Sequence, residues 1–186
     1  MVLHKPYPVA DESQVVAADR NRQGLPPFAL ADAAQAFLNM KEAAQKNGVG
    51  LIAFSGYRST GRQKELFLDA QRRHGKRRAA AWVAPAGYSE HQTALAFDIG
   101  DVARPETDDE QTFETTPAFA WIRAHASEFG FEMSFPPDNL QGVSYEPWHW
   151  RFVGSPAARA IFHPGSFGRF LTILRAFAGV LRYQFF

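Results

Sequence analysis

The sequence predicts an α+β domain. Three observations carry that expectation: helix-forming patterns over 31–46, 60–73 and 117–129, short apolar or alternating stretches near 50–57, 94–99 and 148–152, and no regular strand–helix–strand rhythm joining them. A chain of 186 residues with 46% hydrophobic content is long enough for one domain with a sizeable core. No internal repeat and no long linker divides it.

Taken in order, residues 1–29 are rich in proline, glycine and polar side chains and read as an arm wrapping a folded body. Ala31 to Lys46 is a helix with Asn47-Gly48 as its stop signal. Gly50 to Tyr57 is a short apolar run, expected as a buried strand. A second helix is expected from Thr60 to Arg73, closed by Gly75. The second half of Ser89–Gly100 alternates: Ala94, Ala96 and Asp98 on one face, Leu95, Phe97 and Ile99 on the other. Thr116 caps a third expected helix, with Pro117 at its first position and its end at Phe129. In Trp148–Phe152, Trp148, Trp150 and Phe152 share one face, and His149 and Arg151 the other.

Composition excludes several classes of function. Charged residues make up 21% and the net charge is +1, so no broad electrostatic field advertises a nucleic-acid partner, and none is expected. The chain has no cysteine, which removes disulfides, a thiol nucleophile and thiolate metal ligands. A metal would have to be held by His, Asp or Glu. No stretch reaches the roughly 18 apolar residues of a membrane span. Residues 1–10 lack the apolar region of a signal peptide, so the expectation is a signal removed upstream of this chain or another export route.

Two segments concentrate chemistry. Ser89 to Asp98 reads SEHQTALAFD, and Glu146 to His149 reads EPWH. A catalytic zinc takes three protein ligands and leaves a fourth position open. His91, Asp98 and His149 supply two imidazoles and one carboxylate for Zn²⁺. Asp98 is the informative member, because a carboxylate on a strand beside Phe97 and Ile99 is costly unless paired or metal-bound. An arginine partner would also satisfy it. Glu146 lies three positions before His149, so on a straight strand it would point away from it. A turn at Glu146-Pro147 would bring the carboxylate back to the same side, where it could act as base towards water; a solvated turn carboxylate is the alternative.

These segments resemble the signatures S-x-H-x-x-G-x-A-x-D and E-x-W-H of the VanY-type D-alanyl-D-alanine carboxypeptidases, with the upstream SGYRS present as Ser55 to Ser59. Those enzymes belong to the LAS group of peptidoglycan metallopeptidases, peptidase family M15, and the resemblance covers roughly residues 1–160. It implies a small antiparallel sheet flanked by helices, Hedgehog/DD-peptidase-like, and a zinc enzyme trimming peptidoglycan stem peptides at the bacterial cell envelope. It implies Glu146 and Arg58 as catalytic, Arg58 holding an oxyanion or a substrate carboxylate, and Ser59, Gln63, Ser89 and Trp148 as substrate-binding. Thr60-x-x-Gln63 also fits a helix capping box, and Trp148 also fits the core. An L,D-carboxypeptidase, an endopeptidase of the same family, or a non-catalytic wall-binding module are the alternatives. One departure stands out: Ala94 occupies the family's glycine, where close backbone packing would cost an extra methyl about 1 kcal/mol.

Other features read as structural. The basic run Arg72 to Arg78 is expected as a solvated helix end and loop, and Glu106 to Glu110 as a surface loop. His74 and His125 are not assigned to metal. Residues 1–165 form the expected peptidase domain. The tail 166–186 carries an apolar stripe at helical spacing with arginines, which suits either the domain's own core or a membrane surface. A monomer is expected.

Overall fold

A computed structural model describes residues 2–165. The tail 166–186, with its apolar stripe, lies outside the described residues. The elements run β1 (Val15–Ala17), β2 (Phe28–Leu30), α1 (Ala31–Lys46), β3 (Leu51–Ser55), α2 (Thr60–His74), α3 (Lys76–Trp82), β4 (Ala96–Asp101), α4 (Pro117–His125), β5 (Phe131–Met133), β6 (His149–Phe152) and α5 (Pro156–Phe162). The fold is α+β, as the sequence predicts.

The main sheet has the order β3-β4-β6-β5, with every neighbouring pair antiparallel. β1 and β2 form a separate two-stranded ribbon in the N-terminal arm. All six residues of β4 are buried, because both faces of this central strand are covered. Phe97 and Ile99 enter the core, where Phe97 stacks on Phe37 of α1 at 5.2 Å and meets Phe131 of β5 edge-on at 6.0 Å. Met40, Ile122 and Phe113 fill the same layer. Burying side chains of this size stabilises the fold by about 1.5–3 kcal/mol each, which fixes the register of β4. The opposite face of the strand carries Asp98, so the register that locks the core also sets the position of that carboxylate.

Helix ends follow local chemistry. Ser59 caps α2 by accepting from the Arg62 N–H at 3.2 Å, and Thr116 caps α4 by accepting from Phe119 at 3.1 Å. Gly75, at φ +79°, ends α2 and turns directly into α3. The basic run therefore continues as a helix from Lys76 instead of becoming a loop. Expected end points shift elsewhere: α4 stops at His125 and gives way to a tighter turn over Ala126–Phe129, and Trp148 sits in a turn just before β6.

Candidate metal centre

The site is assembled from one turn and two adjacent strands. Glu90–Thr93 forms a tight helical turn, which Ala94 ends in the left-handed conformation at φ +56°. The Ala94 N–H donates to the His91 carbonyl, and its own carbonyl accepts from Leu30, so this reversal ties the turn to β2 before β4 begins. Ala94 thus lies ahead of the strand, not on the Asp98 face that simple alternation assigns it. The left-handed backbone, rather than close packing alone, is what a glycine would relieve here.

Asp98 and His149 are direct partners in the β4–β6 ladder. Asp98 Oδ1 lies 2.9 Å from His149 Nδ1, and Asp98 Oδ2 lies 3.1 Å from His91 Nε2. One ligand atom from each of His91, Asp98 and His149 falls within 4.8 Å of the others, and all three side chains are buried. Each ring's remaining nitrogen is held. His91 Nδ1 is 2.7 Å from the Gly56 carbonyl, and His149 Nε2 is 3.0 Å from Glu90 Oε2. Those partners leave His91 Nε2 and His149 Nδ1 facing the shared centre beside the carboxylate. Gly56 has no room for a side chain, since a Cβ there would come within 2.5 Å of the Phe28 carbonyl oxygen.

The charges are strongly perturbed. Burial pushes Asp98 up, but His91 and His149 outweigh it and hold it well below the usual carboxylate range. Burial pushes His149 down, yet Asp98 and Glu90 on either side raise it to about 10. His91 is lowered by burial and by Arg58. Without an ion, a proton on His149 thus offsets the buried carboxylates. Two imidazole nitrogens and a carboxylate around one point also form the donor set of an open catalytic zinc site, and this group fits Zn²⁺.

Glu146 borders the same cavity, about 380 Å³ in volume. Its carbonyl accepts from the His149 N–H at 3.2 Å, closing a turn with Pro147 and Trp148 at the corners. The bend brings Glu146 and His149 to one side. Burial, reinforced by the Asp98, Glu90 and Asp109 carboxylates, raises Glu146 to about 8 against the pull of His149.

Arg58 reaches the centre from the loop after β3. Its Nη2 is 3.0 Å from Ser55 Oγ and 3.5 Å from Asp98 Oδ2, and its Nη1 donates to Gln63 Oε1 at 3.1 Å. The Gln63 amide then donates to the Ala84 carbonyl at 2.7 Å, so this buried side chain braces Arg58 and forms no capping box. Ser89 and Trp148 are buried and line the cavity. Ser59 does not; its hydroxyl is engaged in capping α2. Ala94 and Ala96, which simple alternation places on the Asp98 face, do not line it either. His125 pairs with Glu128 at the surface, and His74 borders the cavity without belonging to the three donors.

Sequence reasoning missed Glu90, Tyr7 and Asp109. Glu90 stands beside His91 in the chain, and its signal was an ionisable residue inside an otherwise buried stretch. Asp109, read as part of a surface loop, keeps one face to solvent but turns at φ +59° to the cavity. Burial against that wall and the nearby Asp98 push its carboxyl up.

The family model for VanY, D-alanyl-D-alanine carboxypeptidase, matches residues 29–155, which hold every residue of the donor set and Glu146. The chain belongs to the VanY family. A D-alanyl-D-alanine carboxypeptidase of Enterococcus faecalis is 38% identical over 138 residues, covering 67% of this chain and 48% of that protein. The chain spans about half the length of the curated relatives it matches. Among solved structures, the LdcB LD-carboxypeptidase superposes with a TM-score of 0.73 at 34% identity, covering 86% of this chain and 78% of the other. A VanY D,D-pentapeptidase variant in complex with Zn(II) gives 0.64 at 29%, covering 89% and 93%.

Proposed function

We propose that this chain is a zinc-dependent D-alanyl-D-alanine carboxypeptidase that trims peptidoglycan stem peptides at the bacterial cell envelope. The observation that carries this reading is one cavity holding a buried His–Asp–His donor group beside a carboxyl group raised to about 8. A binding module needs no such group, and a hydrolase does.

His91, Asp98 and His149 hold the ion. When bound, Zn²⁺ polarises the scissile carbonyl and makes water more acidic. Glu146 takes a proton from the attacking water and returns it to the departing amine, acting as base and then acid. Its raised affinity for a proton suits the second half of that cycle. Arg58, braced by Gln63 and Ser55, presents a guanidinium to the oxyanion or to the substrate's terminal carboxylate. Ser89 and Trp148 shape the wall against which the peptide end lies.

The likeness to LdcB supports a second reading, in which the bond cleaved has L,D stereochemistry. Incubation of zinc-loaded protein with muropeptides ending in D-Ala-D-Ala, and with those ending in a single D-Ala, separates the two by product mass. Loss of one alanine from the longer peptide alone is expected. Cleavage of the shorter one alone selects the L,D reading, and no cleavage of either overturns both.

A further inference from the structure

Glu90 is 3% exposed, and the four acceptor positions of its carboxylate are all taken. Oε1 accepts from Tyr7 Oη at 3.0 Å and Arg151 Nη1 at 2.8 Å; Oε2 accepts from Ser134 Oγ and from His149 Nε2 at 3.0 Å. This acid is not one of the three donors, yet through His149 Nε2 it decides which nitrogen of that ring keeps its proton. Tyr7 is unusual among its partners because it precedes the segment that matches the family model, residues 29–155.

The arm around Tyr7 is firmly laid down. Leu3 N–H donates to the Gln141 carbonyl at 2.7 Å, and Tyr7 N–H to Gly87 at 3.1 Å. The Gln92 amide donates back to the Tyr7 carbonyl at 2.6 Å, and Ala10 N–H donates to Gln92 at 2.8 Å. The Tyr7 ring rests on Phe162 of α5 at 5.7 Å, and Arg151 stacks over that same phenyl ring at 5.0 Å. Tyr7 and His4 both border the cavity.

We infer that the N-terminal arm completes the metal centre: Tyr7 is a positioning residue that, through Glu90, orients His149 towards the ion. The phenol fixes one Glu90 oxygen, which leaves the other aimed at His149 Nε2 and keeps His149 Nδ1 turned towards Asp98 and the shared centre. Outer partners of metal-bound histidines commonly contribute about 10–100-fold in affinity. Tyr7 stands one bond further out, so about 3–10-fold is expected. The inference rests on His91, Asp98 and His149 being the zinc ligands.

The test is zinc affinity, measured by chelator competition on the full chain for wild type, Tyr7→Phe, Glu90→Gln and Tyr57→Phe. Tyr57→Phe is the control: it removes another tyrosine–glutamate tether of the arm, Tyr57 Oη to Glu12 Oε1 at 2.9 Å, which has no link to Glu90. Expected are a 10–100-fold loss for Glu90→Gln, a 3–10-fold loss for Tyr7→Phe and no change for Tyr57→Phe. Should Glu90→Gln fail to fold, Tyr7→Phe still decides, because it keeps the ring on Phe162. Wild-type affinity in Tyr7→Phe, or an equal loss in Tyr57→Phe, reduces the arm to a structural tether and overturns the inference. A wild-type protein that binds no stoichiometric zinc overturns the ligand assignment itself.

Discussion

Asp98 and His149 face each other across two central strands, carboxylate oxygen to imidazole nitrogen at 2.9 Å. The hydrogen bond occupies the nitrogen that an ion would need. A proton and the metal therefore compete for the same lone pair on His149 Nδ1.

Zinc affinity should rise with pH. With His149 raised to about 10, the ion must displace a proton at any lower pH, about tenfold in apparent affinity per pH unit for one proton. The metal-free protein responds in the opposite sense. A histidine whose folded pKa is raised contributes stability fully below its unfolded value of about 6.5, and that contribution is lost as pH climbs towards 10. Chelator competition at pH 6, 7 and 8, with melting curves of the stripped protein over the same range, checks both. A flat affinity profile would contradict the proton held between Asp98 and His149.

Glu146→Gln should keep zinc and lose turnover by about 10³-fold. It should also make the stripped protein more stable at alkaline pH. A carboxyl raised from 4.5 to about 8 binds its proton more tightly when folded, so between those values the folded state loses stability as pH rises. Glutamine does not titrate. The variant's advantage is expected to reach about 5 kcal/mol by pH 9 and to vanish near pH 4.5. Denaturant melts at the two pH values measure it.

Arg58 and Gln63 should separate by degree. Arg58→Ala removes the guanidinium proposed to meet the oxyanion or the substrate's terminal carboxylate, with an expected fall in kcat/KM of about 100-fold. Gln63→Ala only frees Arg58 Nη1, and about 10-fold is expected. A larger loss for Gln63 than for Arg58 would mean that the amide contacts substrate itself.

Ala94→Gly should be nearly neutral, within about 0.5 kcal/mol. Relief of the left-handed backbone contributes about 1–2 kcal/mol. Loss of a fully buried methyl costs about 0.8, and the freer unfolded chain about another 0.5–1. At a buried alanine with ordinary backbone only the costs remain, so a drop of 1.5 kcal/mol or more in denaturant melts would show that Ala94 is unstrained.

Much of this was legible in the sequence because the residues concerned obey local rules. The period of 31–46, the Thr116-Pro117 start and the alternation at 148–152 each report on short-range geometry. The donor triad was legible for another reason: Asp98 is an acid set between Phe97 and Ile99, and the two segments that carry it and the histidines match a family's signatures. What stayed hidden depends on long-range approach. Tyr7 meets Glu90 across 83 positions, and Gly56 meets His91 across 35. The left-handed turn at Ala94 was invisible because alanine gives no sign of it, whereas glycine would have. Asp109 was hidden by its polar neighbours, which as a group do face water.

The bulge between Ala53 and Ser55 has an effect out of proportion to its size. By shifting the register of β3 it sets Ser55 opposite Asp98, and the Ser55 hydroxyl there meets the guanidinium of Arg58. With the pleat unbroken, Phe54 would take that place beside the carboxylate. A single irregular step thus converts a spot destined for an aromatic ring into an anchorage for a cation.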